Sequence, residues 1–167
     1  MSDPKINELI ETCEKTAAAV IEKLKRSSLK LVLAESCTAG LISALLAGTS
    51  GASDVLWGSF VCYTQAAKVR MLGLDNDTLT ESGLVNSETA RAMAEGALLK
   101  SGADIAAAVT GLAGPAGDGR VPVGTIWIAL SRQGKTTEAK EFVFKDSRNI
   151  VRTQAALAVL EEILKLL

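Results

Sequence analysis

The sequence contains no histidine. This excludes Ser-His-Asp and Cys-His nucleophile pairs, His-ligated zinc and every imidazole acid–base scheme, unless a partner chain supplies the ring. Hydrolysis by this chain has to draw on lysine, tyrosine or a carboxylate. Cysteine is scarce: Cys13, Cys37 and Cys62 are odd in number and far apart, which suits buried, reduced thiols better than a disulfide framework or a zinc cage. No run approaches the ~20 apolar residues of a membrane span. Residues 1–15 carry charges throughout where a signal peptide would have an apolar core, so the expected location is cytoplasmic. An excess of charge is missing too, with 18 Lys and Arg against 19 Asp and Glu, a formal net charge of −1. The sequence therefore gives no general electrostatic reason to bind nucleic acid or an anionic membrane, and a small polar partner is expected. With 167 residues, 48% hydrophobic and 22% charged, one domain over residues 1–167 is expected, needing neither disulfide nor metal.

Apolar residues recur at three- and four-residue steps over residues 6–24, which predicts an opening amphipathic helix. Residues 29–34 read as a strand, 35–40 as a turn, 41–47 as a helix and 55–63 as a second strand. Thr64 can cap a helix over 65–72, and Ser87 a longer one through Lys100 with Glu88 in its first turn. Residues 105–109 are apolar on both faces, as in a central strand covered by helices on each side. Residues 124–130 and 138–144 form a predicted hairpin turning at Gln133-Gly134, and 148–167 a last amphipathic helix. Helices between most strands plus one hairpin predict a three-layer α/β/α sandwich with a mixed, mostly parallel sheet.

The first candidate site is Glu35-Ser36-Cys37-Thr38-Ala39-Gly40, between a strand end and a helix start, where open α/β sheets collect ligands. Ser36 could attack a carbonyl while the N–H groups of Cys37 and Thr38 stabilise the oxyanion, although Ser36 or Thr38 could equally cap the helix. Without histidine, the activating base is expected to be a neutral lysine. Lys68 lies about one turn into its helix and leans back toward the strand end, where Tyr63, the sole tyrosine, sits. Read alone, Lys68 is equally an exposed helix lysine and Tyr63 a packing residue. The glycine-rich segment 110–120, with Thr110, Gly111 and Gly114, could let backbone approach an anion, and matches neither GxGxxG nor a Walker loop. Arg148 and Arg152, one turn apart, could grip a phosphate. Cys37 is a weaker candidate nucleophile.

Taken together, residues 34–40, Tyr63 with Lys68, residues 109–115, residues 122–127 and the Arg148/Arg152 pair resemble the C-terminal domain of the CinA (competence/damage-inducible) proteins, in order from about Leu33 to Leu157. Stand-alone members act as nicotinamide-nucleotide amidases. The resemblance implies hydrolysis of the carboxamide of nicotinamide mononucleotide to nicotinate mononucleotide and ammonia, with Ser36 as nucleophile and Lys68 and Tyr63 handling protons. It calls for no cofactor and no metal. Glu35, Cys37, Thr38, Gly40, Thr110, Gly111, Gly114, Arg148 and Arg152 are the expected substrate-binding residues, a homo-oligomer is possible, and the alternative is a non-catalytic nucleotide-binding or regulatory module. Three departures stand out: Ala39-Gly40 replaces a common pair of glycines, the 116–121 loop is short and carries Arg120, and Lys145-Asp146-Ser147-Arg148 replaces a glycine-aspartate-arginine run, leaving Asp146 or Ser147 to cap the helix.

Overall fold

The computed structural model describes residues 4–167. Helix α1 (Pro4–Ser27) leads into β1 (Leu31–Glu35), then α2 (Leu41–Ala47), a 3-10 turn (Ala52–Asp54) and β2 (Leu56–Val61). Helix α3 (Gln65–Ala67) continues as a π turn (Lys68–Leu72) and is followed by α4 (Asn76–Ser82), α5 (Ser87–Ser101) and β3 (Ile105–Gly111). The hairpin β4 (Thr125–Arg132) and β5 (Glu138–Val143) precedes α6 (Arg148–Leu166).

The five strands lie in the order β2-β1-β3-β4-β5, with parallel ladders among the first three and antiparallel ladders at β3–β4 and β4–β5. Four of the five strands thus run in one direction, β4 opposing them. Successive strand residues face opposite sides. Leu31, Leu33, Ile105, Ala107 and Val109 pack with α1, α2 and α6, whereas Val32, Ala34, Ala106 and Ala108 pack with α5. Burial on both faces makes β1 and the body of β3 continuously apolar, and the three-layer sandwich read from the sequence is the architecture observed. All three cysteines are buried free thiols. Among the described residues, no helix is long and apolar enough to cross a membrane.

Three local readings are corrected. The sequence assigned no element between Leu72 and Ser87, yet α4 forms there, capped by Asp75, whose Oδ1 accepts from the Thr78 amide at 2.7 Å. Helix α5 is capped by Asn86, which accepts from the Thr89 amide at 2.7 Å; Ser87 is instead its first residue and donates to Glu88. At α6 Ser147 holds the cap position without a side-chain cap bond, and Asp146 accepts from the Ser147 amide. Thr64 does cap α3, accepting from the Ala67 amide at 3.2 Å.

Candidate active site

β1 ends in a buried carboxylate, and that residue organises the turn after it. Glu35 is fully buried, and its Oε2 accepts from Thr38 Oγ1 at 2.8 Å, the Gly40 amide at 2.9 Å and the Ile42 amide at 3.2 Å. Its Oε1 accepts from the Ser43 amide at 2.9 Å and Ser59 Oγ at 3.2 Å. Neither Ser36 nor Thr38 caps α2 directly. Gly40 occupies the cap position, and Glu35 takes up the N–H groups that a helix start leaves unpaired. The carboxylate, expected at the substrate, is engaged by three backbone amides and two hydroxyls.

Relieved of capping, Ser36 faces a lysine. Lys68 has no exposed surface, and its Nζ donates to Ser36 Oγ at 2.9 Å and to Cys62 O at 3.0 Å. The expected lean toward the strand end is present, and the reading of Lys68 as an exposed helix residue is excluded. The π turn begins at this residue, and such turns recur at functional sites. Burial pushes the amine below its ordinary lysine value, against an opposing pull from the Cys62 and Cys37 thiols. No carboxylate lies within ion-pair distance of it among the described residues. Burial thus moves the amine toward the neutral form that a general base requires. Burial also pushes the Cys37 thiol up to about 12, which leaves almost no thiolate at neutral pH and argues against it as nucleophile.

Ser36, Cys37, Tyr63, Thr110, Gly111 and Arg148 line one cleft of about 410 Å³, within the range of small-molecule sites. The remaining expected residues, Glu35, Thr38, Gly40, Lys68, Gly114 and Arg152, are not part of that lining. Arg152 donates to Cys37 O at 3.0 Å and Thr38 O at 2.8 Å, bracing the turn that carries Ser36 from α6. Arg148 donates to Tyr63 Oη at 2.7 Å and to Gly114 O, tying the half-exposed Tyr63 to the glycine-rich loop. The buried Thr110 hydroxyl donates to Leu84 O at 2.7 Å. Within the turn, the Ser36 amide donates to Val109 O and the Ala39 amide to Ser36 O, both at 3.0 Å. The Cys37 and Thr38 amides between them have no backbone acceptor among the described residues.

The cleft also has walls that the sequence reading did not assign to it, Gln65, Thr80 and Gly83, which face Asp118 and Arg120 of the glycine-rich segment. Gln65 Nε2 donates to Thr80 Oγ1 at 2.9 Å and to Asn76 Oδ1 at 3.1 Å, holding α4 beside the opening.

Ala39 adopts φ +53°, so the turn does demand the left-handed conformation at which the alanine-for-glycine departure matters. Ala39→Gly is expected to stabilise the protein by about 0.5–1 kcal/mol, the strain relieved exceeding the unfolded-state entropy gained. A raised urea midpoint at unchanged slope is the expected reading, and a lowered midpoint contradicts it.

The CinA C-terminal domain family matches residues 13–167. A CinA-like protein of Thermotoga neapolitana is 39% identical over 153 residues, covering 91% of this chain and 37% of the relative. One from Akkermansia muciniphila is 42% identical over 144 residues, covering 84% and 35%. The chain thus spans little more than a third of the length of these relatives. Among solved structures, the competence/damage inducible protein CihA from Agrobacterium tumefaciens superposes with a TM-score of 0.89 at 38% identity, covering 93% of this chain and 95% of that one. A competence-damaged protein (CinA) superfamily protein from Escherichia coli gives 0.89 at 28% identity, with 100% and 94% covered. The match takes in β1 with the Ser36 turn, the Lys68 helix and all that follows, and on it this chain belongs to the CinA C-terminal domain family.

Proposed function

We propose that this chain is a cytoplasmic amidase that needs no metal and hydrolyses the carboxamide of nicotinamide mononucleotide to nicotinate mononucleotide and ammonia. The observation that carries this reading is the wholly buried Lys68 amine, 2.9 Å from Ser36 Oγ and with no carboxylate at ion-pair distance among the described residues. Neutral Lys68 takes the Ser36 proton as Oγ attacks the carboxamide carbon. The developing oxyanion turns to the Cys37 and Thr38 amides, which no backbone acceptor engages among the described residues. The Lys68 ammonium then returns a proton to the nitrogen, the C–N bond breaks, ammonia leaves, and an ester joins the acyl group to Ser36. Water attacks that ester with Lys68 again as base, releasing the carboxylate and restoring the serine. Tyr63 receives a hydrogen bond from Arg148, which leaves its own proton available at the cleft mouth to orient the carboxamide or relay to the leaving nitrogen.

Ammonia release from nicotinamide mononucleotide by the purified protein in EDTA tests the reading. Turnover that persists in chelator is the expected result. No turnover with the mononucleotide still bound favours a binding module, and turnover lost in EDTA but restored by a divalent ion overturns the metal-free mechanism.

A further inference from the structure

We infer that Arg120 holds the phosphate of the substrate and sets the preference for a phosphorylated over a phosphate-free amide, an assignment that rests on the mononucleotide reading above. Three arginines stand at this end of the sheet, and their engagements differ. Arg148 is bonded to Tyr63 Oη and Gly114 O, and Arg152 to Cys37 O and Thr38 O. Turning either one toward a ligand would release the tyrosine or the turn that carries Ser36.

Arg120 carries no such duty. It is exposed, it lines the same cleft as Ser36, and no carboxylate pairs with it among the described residues. Its guanidinium donates to Glu81 O at 3.2 Å and Thr80 O at 3.4 Å, at the long end of hydrogen bonding and easily exchanged. The nearby Asp118 carboxylate attracts the guanidinium but forms no ion pair with it among the described residues; its Oδ1 accepts from the Arg120 and Val121 amides at 2.9 and 3.1 Å. The placement is also built into the opposite wall. Gly83, at φ +85°, lies beneath the guanidinium, and a Cβ there would come within 2.9 Å of Arg120 Nη1. A planar, permanently charged fork with loosely held donors, in the cleft that Ser36 also lines, suits bidentate capture of a phosphate.

The test is calorimetric titration of the Ser36→Ala protein, and of Ser36→Ala with Arg120→Gln, using nicotinamide mononucleotide and its phosphate-free riboside. Arg120→Gln is expected to weaken the mononucleotide about 10-fold or more, the worth of a charged hydrogen bond, while the riboside is held as before. Added salt should erode the preference of the Ser36→Ala protein and leave that of the double variant unchanged. Equal weakening of both ligands, no weakening of either, or no mononucleotide binding by Ser36→Ala overturns the assignment. Ammonia release is measured alongside with the wild type. Phosphate preference lost with Arg120 in a protein that releases no ammonia supports the assignment and removes the amidase reading; turnover with the preference intact in Arg120→Gln does the reverse.

Discussion

Lys68→Met is expected to lower kcat on the order of 10⁴-fold or more while leaving KM near the wild-type value, and Ser36→Ala to do the same. The methionine side chain is close to lysine in length and apolar, so it can occupy the wholly buried site without adding a charge. It cannot accept the Ser36 proton, and that is the loss measured. A second signature separates a base from a positioning residue. Wild-type activity should fall as pH drops through the lowered Lys68 pKa, because protonation removes the base; any residual activity of Lys68→Met should lack that limb. Stability follows the same linkage. Between the lowered pKa and the ordinary value of 10.5 the unfolded chain binds a proton that the folded chain does not. Stability from this group therefore rises with pH across that window, by about 1.4 kcal/mol per unit, and is absent below it. The wild type should gain on Lys68→Met as pH climbs through the window, and parallel pH–stability curves would contradict the assignment.

Glu35→Ala is expected to destabilise the protein by about 3–5 kcal/mol, or roughly 6–20 °C in Tm for a chain of this size. The carboxylate receives five donors: the amides of Gly40, Ile42 and Ser43 and the hydroxyls of Thr38 and Ser59. Truncation leaves all of them facing a dry hole, and the seven-residue α2 loses the group that satisfies its start. Glu35→Gln keeps one acceptor oxygen and should lose less. Because Glu35 is fully buried and does not line the cleft, the Gln variant should retain substrate affinity while its Tm falls. Intact Tm with weakened binding would return Glu35 to the substrate.

The central sheet was legible because strands buried on both faces leave a continuous apolar signature, as in β1 and β3. The pairing of Ser36 with lysine was legible as well, since a chain without histidine has few other bases and Lys68 leans back along its helix. What local sequence did not carry was the environment. The burial of Lys68 depends on Cys62 O and Ser36, contributed by the ends of two other segments. Glu35 reads as a site residue from its neighbours, whereas its partners lie up to 24 residues away, at Ser59. Helix α4 escaped notice because seven residues with a single buried leucine, Leu79, show no apolar period. Arg120 reaches α4 across about 40 residues of chain, a contact outside any local pattern. Asn86 and Ser87 are adjacent residues of equal capping ability, so their order was decided by the chain's path into α5.

The measurement that reaches the central claim most directly is mass spectrometry of the protein quenched in acid during turnover of nicotinamide mononucleotide. The expected result is the acyl group of the substrate, without its nitrogen, as an ester on the peptide carrying Ser36, absent from Ser36→Ala. An adduct on Cys37, or product formed with no covalent species at any quench time, would contradict it.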